Sequence, residues 1–276
     1  MNKKILILIV FLTSCRSSIF LAAEDSGPKN TIEDRVGGPL WIQRGDMPFI
    51  ITVPHGGPLT VNGVEIRKKG TIITDIRTLE LVELLNDLFI KIFSRKPYIV
   101  ASRISRKYID FNRSRECALE DPQLNTLYDE YHASIERAGD EIRRNFSCGL
   151  LIDIHGQSAE RSAIFLGTND TVTIEQLTKR RGNEVWKGDQ SLAALFEKYG
   201  YTTFPSSDDL TSKEDERYNG GYTVQRHGIN NPHGIDAIQL EIGLKYRYTV
   251  EEREKFGQDL AQVLMHYYEL YFLPKL

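Results

Sequence analysis

The sequence predicts an α/β fold in which a mostly parallel sheet carries helices on both faces. Short apolar, β-branched runs bounded by Gly and Pro recur along the chain, and they alternate with longer segments whose apolar residues repeat at helical spacing. That alternation is the pattern of strands joined by crossover helices. A second observation bounds the size. The chain has 276 residues, 41% hydrophobic and 26% charged, which is enough for one large buried core or two small ones.

Pro48-Phe-Ile-Ile-Thr-Val53 reads as a buried strand closed by the tight loop Pro54-His-Gly-Gly-Pro58. Residues 75–93 follow a helical pattern, with Leu79, Val82, Leu85, Leu88 and Phe89 on one side. Tyr98 to Ala101 is a short strand. Leu124 to Arg144 reads as a long polar helix with Leu127, Tyr131, Ile135 and Ile142 on its inner stripe. Leu150 to Ile154 is a second buried strand, with His155-Gly156 just past its end, and Ala163 to Leu166 is a third. A helix over 184–199, a strand over Ala237 to Ile242 and a closing helix over Val250 to Leu273 complete the pattern. No internal repeat or low-complexity tract interrupts it.

The N-terminus has its own character. Lys3-Lys4 precede the apolar run Ile5 to Leu12, which reads as an export signal over residues 1–23. The run is too short to span a bilayer comfortably. Leu12-Thr-Ser-Cys15 resembles a bacterial lipoprotein cleavage site, so a lipidated Cys15 is one expected membrane tether; cleavage near Ala22-Ala23 is the other option. Residues 24–38 are polar and contain Gly and Pro, as in a linker. The expected location is therefore outside the cytoplasm: periplasmic, secreted or lipid-anchored. If the apolar run is instead a first strand or helix, the location is cytoplasmic.

Cysteine and charge exclude other classes. Without Cys15, Cys117 and Cys148 are either paired in an oxidising compartment or both free. No Cys-x-x-Cys or Cys/His cluster points to a structural zinc. A net charge of −3 with no basic block gives no electrostatic footprint for nucleic acid. Asn145-Phe-Ser and Asn169-Asp-Thr are glycosylation triplets that matter only in a eukaryotic secretory host.

In open α/β sheets, sites gather at the carboxyl ends of strands. Five polar features fall there or in adjacent loops: His55, Asp110-Phe-Asn-Arg113, Asp153-Ile-His155, Gly220-Gly-Tyr222 and Gln239-Leu-Glu241. Two histidines, each followed by Gly and each ending an apolar strand, favour a site over chance. A catalytic zinc takes three protein ligands and keeps one position for water. His55 and His155 supply two. Asp75 is the first choice for the third, against its alternative as a helix cap, and Glu65 is a weaker candidate. Glu241 suits a general base, unless it is an inward carboxylate paired with Arg or Lys. Arg113 offers a fork for a substrate carboxylate, and Arg106 a group for a developing oxyanion; surface ion pairs are the alternative for both. Ser158 and Ser162 stand near His155, yet no Gly-x-Ser-x-Gly elbow supports a metal-free serine hydrolase.

Together these pieces resemble a known family. Pro54-His-Gly-Gly, Asp75, Arg106-x-x-x-Asp110-x-Asn112-Arg113, Asp153-x-His155-Gly, Gly220-Gly-Tyr-Thr and Gln239-Leu-Glu241-Ile resemble, in order and spacing, the N-formylglutamate amidohydrolases over about residues 48 to 250. That family is similar in fold to zinc carboxypeptidases and aspartoacylases. The resemblance implies one domain over 39–276 with a central mixed sheet, one zinc ion per chain, and hydrolysis of an amide next to a carboxylate-bearing group. By position, His55, His155 and an acid further on, here Asp75, match the metal ligands. Asn112 and Arg113 match the carboxylate clamp, Arg106 the oxyanion group and Glu241 the base, with Tyr222 among the substrate-binding residues.

Three departures qualify the match. In carboxypeptidases a Glu ligand follows the first His by three residues; here Pro58 stands there. Asp236 stands where many relatives have His, so different substrate contacts are expected at that point. An export signal also fits poorly with cytoplasmic histidine breakdown. The expected substrate is accordingly an N-formyl or other N-acyl amino acid, a peptide or a cell-wall fragment. An exported zinc carboxypeptidase and a non-catalytic binding protein on the same scaffold are the alternative readings.

Overall fold

A computed structural model describes residues 18–19, 34–35, 37–209 and 211–273. Cys15, the Ile5 to Leu12 run and most of the 24–38 linker lie outside them. The centre is a seven-stranded sheet built from β1 (Leu40–Gln43), β2 (Phe49–Val53), β3 (Tyr98–Ser102), β4 (Leu150–Gln157), β5 (Ala163–Gly167), β6 (Thr202–Phe204) and β7 (Asp236–Gly243). Their spatial order is β1-β3-β2-β4-β7-β5-β6. The central strands β3, β2, β4 and β7 run parallel, while β1 and β5 are antiparallel to their neighbours β3 and β7. The sheet is therefore mixed and mostly parallel, as expected.

Helices α1 (Thr78–Phe93), α2 (Asn125–Asn145), α3 (Glu175–Arg181), α4 (Leu192–Lys198), α5 (Tyr222–His227) and α6 (Val250–Tyr271) cover it. Side chains alternate between the two faces of a strand, and the core divides accordingly. Phe49, Ile51 and Val53 of β2, Ile152 and Ile154 of β4, and Ile238, Leu240 and Ile242 of β7 pack with Leu79, Val82, Leu85 and Phe89 of α1 and with Phe256, Leu260 and Leu264 of α6. Ile50, Leu151 and Ala237 face the other way, onto Leu127, Tyr131, Ile135 and Ile142 of α2. Among the described residues no helix is long and apolar enough to cross a membrane. Cys117 and Cys148 are both free.

The structure corrects two elements. His155 lies inside β4, whose pairing with β7 continues to Gln157 opposite Gly243, not beyond the strand end. Residues 184–199 form no single helix. A 3₁₀ turn covers Asn183–Val185, Gly188 breaks the run with φ +109°, and α4 starts only after Ser191, whose hydroxyl accepts from the Ala194 N–H at 3.1 Å. A left-handed glycine ends one helical segment and a capping serine opens the next.

The loop after β2 needs its glycines for contact reasons. A β-carbon on Gly56 would lie 2.7 Å from the Leu79 nitrogen at the start of α1, and one on Gly57 would overlap the Arg103 carbonyl just past β3. The chain carrying His55 is thus wedged between two elements. Gly57→Ala should cost about 1–3 kcal/mol, as overpacking does. Urea unfolding checks this, and an unchanged midpoint would contradict the contact.

Candidate metal centre and active site

Toward the carboxyl ends of the central strands, the sheet face on the α2 side turns from apolar to polar. Thr52 on β2, Asp153 and His155 on β4, and Gln239 and Glu241 on β7 continue the alternation that placed Ile50, Leu151 and Ala237 on that face. Register sets Asp153 between Thr52 and Gln239, and His155 beside Glu241. All are buried.

His55 enters from the loop after β2 and meets His155 edge to face, ring centroids 4.8 Å apart. Their Nδ1 atoms are 3.2 Å apart. Asp75 Oδ2 lies 3.1 Å from His155 Nδ1 and 3.4 Å from His55 Nδ1, and it also accepts the Gly156 N–H at 3.1 Å. One donor atom from each of these three residues lies within 4.8 Å of the others. The outer nitrogens face carboxylates: His55 Nε2 is 2.6 Å from Asp110 Oδ1, and His155 Nε2 is 2.9 Å from Asp153 Oδ2. A neutral ring that donates Nε2–H outward turns its Nδ1 lone pair inward, which is the arrangement of a metal-binding histidine. Two imidazoles and a carboxylate with inward lone pairs fit a divalent cation of the zinc type.

The backing carboxylates are themselves held. Asp110 accepts from the Asn112 N–H at 3.0 Å and from Arg106 Nε at 2.9 Å. Asp153 accepts from Thr52 Oγ1 at 2.6 Å. Burial alone would raise the Asp75 and Asp110 carboxyls, but the adjacent histidines, joined at Asp110 by Arg106, outweigh it and hold both well below the ordinary range. Glu241 behaves oppositely. Burial raises its carboxyl to about 7, His155 opposing and the charge of Asp75 adding.

These groups line a cavity of about 580 Å³, ordinary for a small-molecule site. Of the residues expected there, His55, Asp75, Arg106, Asn112, Arg113, His155 and Glu241 all line it. Asp75 is not a cap: α1 begins at Thr78, and the Asp75 carboxylate points at the imidazoles. No Arg or Lys among the described residues reaches ion-pair distance of Glu241; Gln239 Nε2 donates to it at 3.0 Å, and its Oε1 is 4.0 Å from His155 Nδ1. Arg106 spans two carboxylates, 2.9 Å from Asp110 and 3.7 Å from Asp75. Asn112 Oδ1 accepts the Thr223 N–H at 2.7 Å, and its amide nitrogen lies 3.3 Å from His155 Nε2. Arg113 is exposed, lines the mouth and has no carboxylate within ion-pair distance among the described residues.

Other expectations fall elsewhere. Glu65 is a solvated surface residue 3.4 Å from Lys68, so it is no ligand. Tyr222 does not line the cavity; its ring packs on His132 and its hydroxyl accepts from Arg226 at 3.1 Å. The neighbouring Gly220 and Gly221 line it instead. Asp236 sits at the amino end of β7, accepting from the Leu177 N–H and from Arg180 at 3.0 Å each, and does not line the cavity. Ser158 lines the cavity without a hydrogen bond to a histidine, and Ser162 lies outside it.

The roles of Asp110 and Asp153 were not read from the sequence. Spacing carried a usable signal for Asp153, which lies two residues before His155 on one strand face. Asp110, 55 residues from its histidine, gives no local signal. Arg217 and Tyr218, which close the far wall, were also missed. Arg217 pairs with Asp215 at 2.7 Å and lies over the Tyr218 ring.

The model of the family described as N-formylglutamate amidohydrolase matches residues 120–246. The chain is a hydrolase whose residues 120–246 are similar to that family. The hydrolase is similar in fold to the crystal structure of N-formylglutamate amidohydrolase from Ralstonia eutropha JMP134, at 14% identity and a TM-score of 0.57, over 84% of this chain and 98% of that one. It is likewise similar to a gene product of Agrobacterium tumefaciens, at 13% identity and a TM-score of 0.61, over 84% of this chain and 96% of that one. No curated protein sequence matches it.

The outward hydrogen bonds of the two histidines predict a loss that distance alone would not. Asp110→Asn and Asp153→Asn should each weaken zinc binding about 10–100-fold while leaving all three donor residues in place. Competition with a chromophoric chelator measures this, and wild-type affinity in both variants would remove the backing role.

Proposed function

We propose that the hydrolase is a zinc-dependent amidohydrolase that splits the amide of an N-formyl or other N-acyl amino acid or peptide, next to a carboxylate-bearing group. The observation that carries this reading is the convergence of His55 Nδ1, His155 Nδ1 and Asp75 Oδ2 beside a buried Glu241 that meets no Arg or Lys among the described residues. One zinc ion held by those three residues supplies Lewis acidity, lowering the pKa of water and polarising the scissile carbonyl.

The chain's own groups do the rest. Glu241 takes the proton of the attacking water and returns it to the leaving nitrogen, and a carboxyl near neutrality suits both transfers. Arg106 meets the oxygen that gains charge when the carbonyl is attacked. It stays oriented there by Asp110. Arg113 holds the substrate carboxylate at the mouth, assisted by the Asn112 amide nitrogen. That contact fixes the register of the scissile bond over Glu241.

A hydrolysis screen of N-formyl, N-acetyl and dipeptide substrates, with and without chelator, tests the proposal. Turnover should vanish on chelation and return with zinc. Activity that survives complete removal of metal would sink it. In the Glu241→Gln variant, kcat should fall about 10²–10⁴-fold with zinc stoichiometry unchanged. Arg113→Ala should raise KM chiefly for substrates that bear a carboxylate. Equal loss on matched neutral amides would show that no clamp exists.

A further inference from the structure

Arg247 is buried, and its guanidinium makes no ion pair with a carboxylate among the described residues. Such a cation is costly unless every donor is satisfied. Here each of its three nitrogens meets a main-chain carbonyl. Nε donates to Ile242 O at 3.1 Å, one terminal nitrogen to Gln157 O at 3.1 Å and the other to Ile76 O. Those three carbonyls belong to separate parts of the fold: the loop before α1, the end of β4 and the end of β7. Each also lies one or two residues from a group of the site: Ile76 follows Asp75, Gln157 is two after His155, and Ile242 follows Glu241. Gly156 makes the arrangement sterically feasible, because a β-carbon there would overlap the guanidinium.

We propose that Arg247 is a positioning residue that sets the mutual geometry of Asp75, His155 and Glu241 by clamping the three segments that carry them. This rests on the proposed zinc amidohydrolase reading. The fork of a guanidinium suits the task, because its five donors radiate in one plane and reach three carbonyls at once. A lysine ammonium on a flexible stem has charge but not that planar reach. The positive charge also faces a site rich in carboxylate, and Asp75 and Glu241 both favour its charged form against the opposing effect of burial.

The test uses the full chain and four variants: Arg247→Lys, Arg247→Met, Gly156→Ala, and the double Gly156→Ala/Arg247→Met. Zinc affinity is read by chelator competition. Amide hydrogen exchange is read over segments 75–77, 155–158 and 241–243. In the Lys and Met variants zinc binding should weaken about 10–100-fold, the range found when groups behind metal ligands are removed. Exchange should quicken in all three segments together. Gly156→Ala should reproduce both effects by displacing the guanidinium. The double variant should then be no worse than the worse single, because the methyl group enters vacated space. Loosening of one segment only, full rescue by Lys, or losses that multiply in the double variant would each overturn the proposal. If the wild-type chain binds no zinc, the functional reading fails, while the exchange pattern and the cycle still judge the clamp.

Discussion

The structure depends on burying two imidazoles and their carboxylates at the edge of an otherwise apolar core. A carboxylate removed from water is tolerated only with hydrogen bonds or opposite charge around it. The sheet meets that condition by register. Thr52, Asp153 and Gln239 lie side by side on three neighbouring strands, and His155 and Glu241 lie one step further along. From these positions a continuous chain of contacts runs Thr52, Asp153, His155, Asp75, His55, Asp110 and Arg106. A one-residue slip of β4 would turn Asp153 and His155 into the packed α1 and α6 side. The cores on the two faces therefore specify more than stability: they fix which side chains meet at the site.

Much of this was legible in the sequence. The apolar runs, their glycine-bearing ends and the helical stripes marked the sheet and its long helices, because hydrophobic periodicity is a local property. The same logic picked out His55, Asp75, His155 and Glu241, each at or just beyond a strand end or ahead of a helix. Periodicity over 184–199 misled, since Gly188 and Ser191 divide a segment whose apolar spacing alone suits one helix. Tyr222 misled differently. Its motif does border the cavity, but α5 starts at that residue and turns the ring onto His132.

Asp110 and Arg247 were not legible for a different reason. Their meaning comes from partners far away in the chain, His55 for one and Ile76, Gln157 and Ile242 for the other. Nothing in a loop such as Arg106 to Arg113 says which of its charges will face inward. Arg67 makes the same point: it is buried against the carbonyls of Lys69, Thr71, Arg106 and Cys117, and bridges the loop before α1 to the segment that holds Asp110. Buried arginines bonded to carbonyls carry no pattern in sequence, though they hold loops as firmly as core side chains hold helices.

The charge layout has a consequence for the order of events in the proposed reaction. The floor gathers Asp75, Asp110 and Asp153 around two imidazoles, with Arg106 as the nearest guanidinium, while Arg113 and Arg217 stand in the cavity wall above. A substrate carboxylate entering the cavity would face the Asp75 and Glu241 carboxyls, in a recess where screening by salt is weak. A dication held by His55, His155 and Asp75 would offset those carboxyls and favour the hold of the wall arginines on the substrate. Arg217 is already matched by Asp215, so the net attraction falls chiefly to Arg113, at the end of the segment whose Asp110 orients His55. In the proposed reaction, one stretch of eight residues, Arg106 to Arg113, would thereby link metal loading to substrate capture.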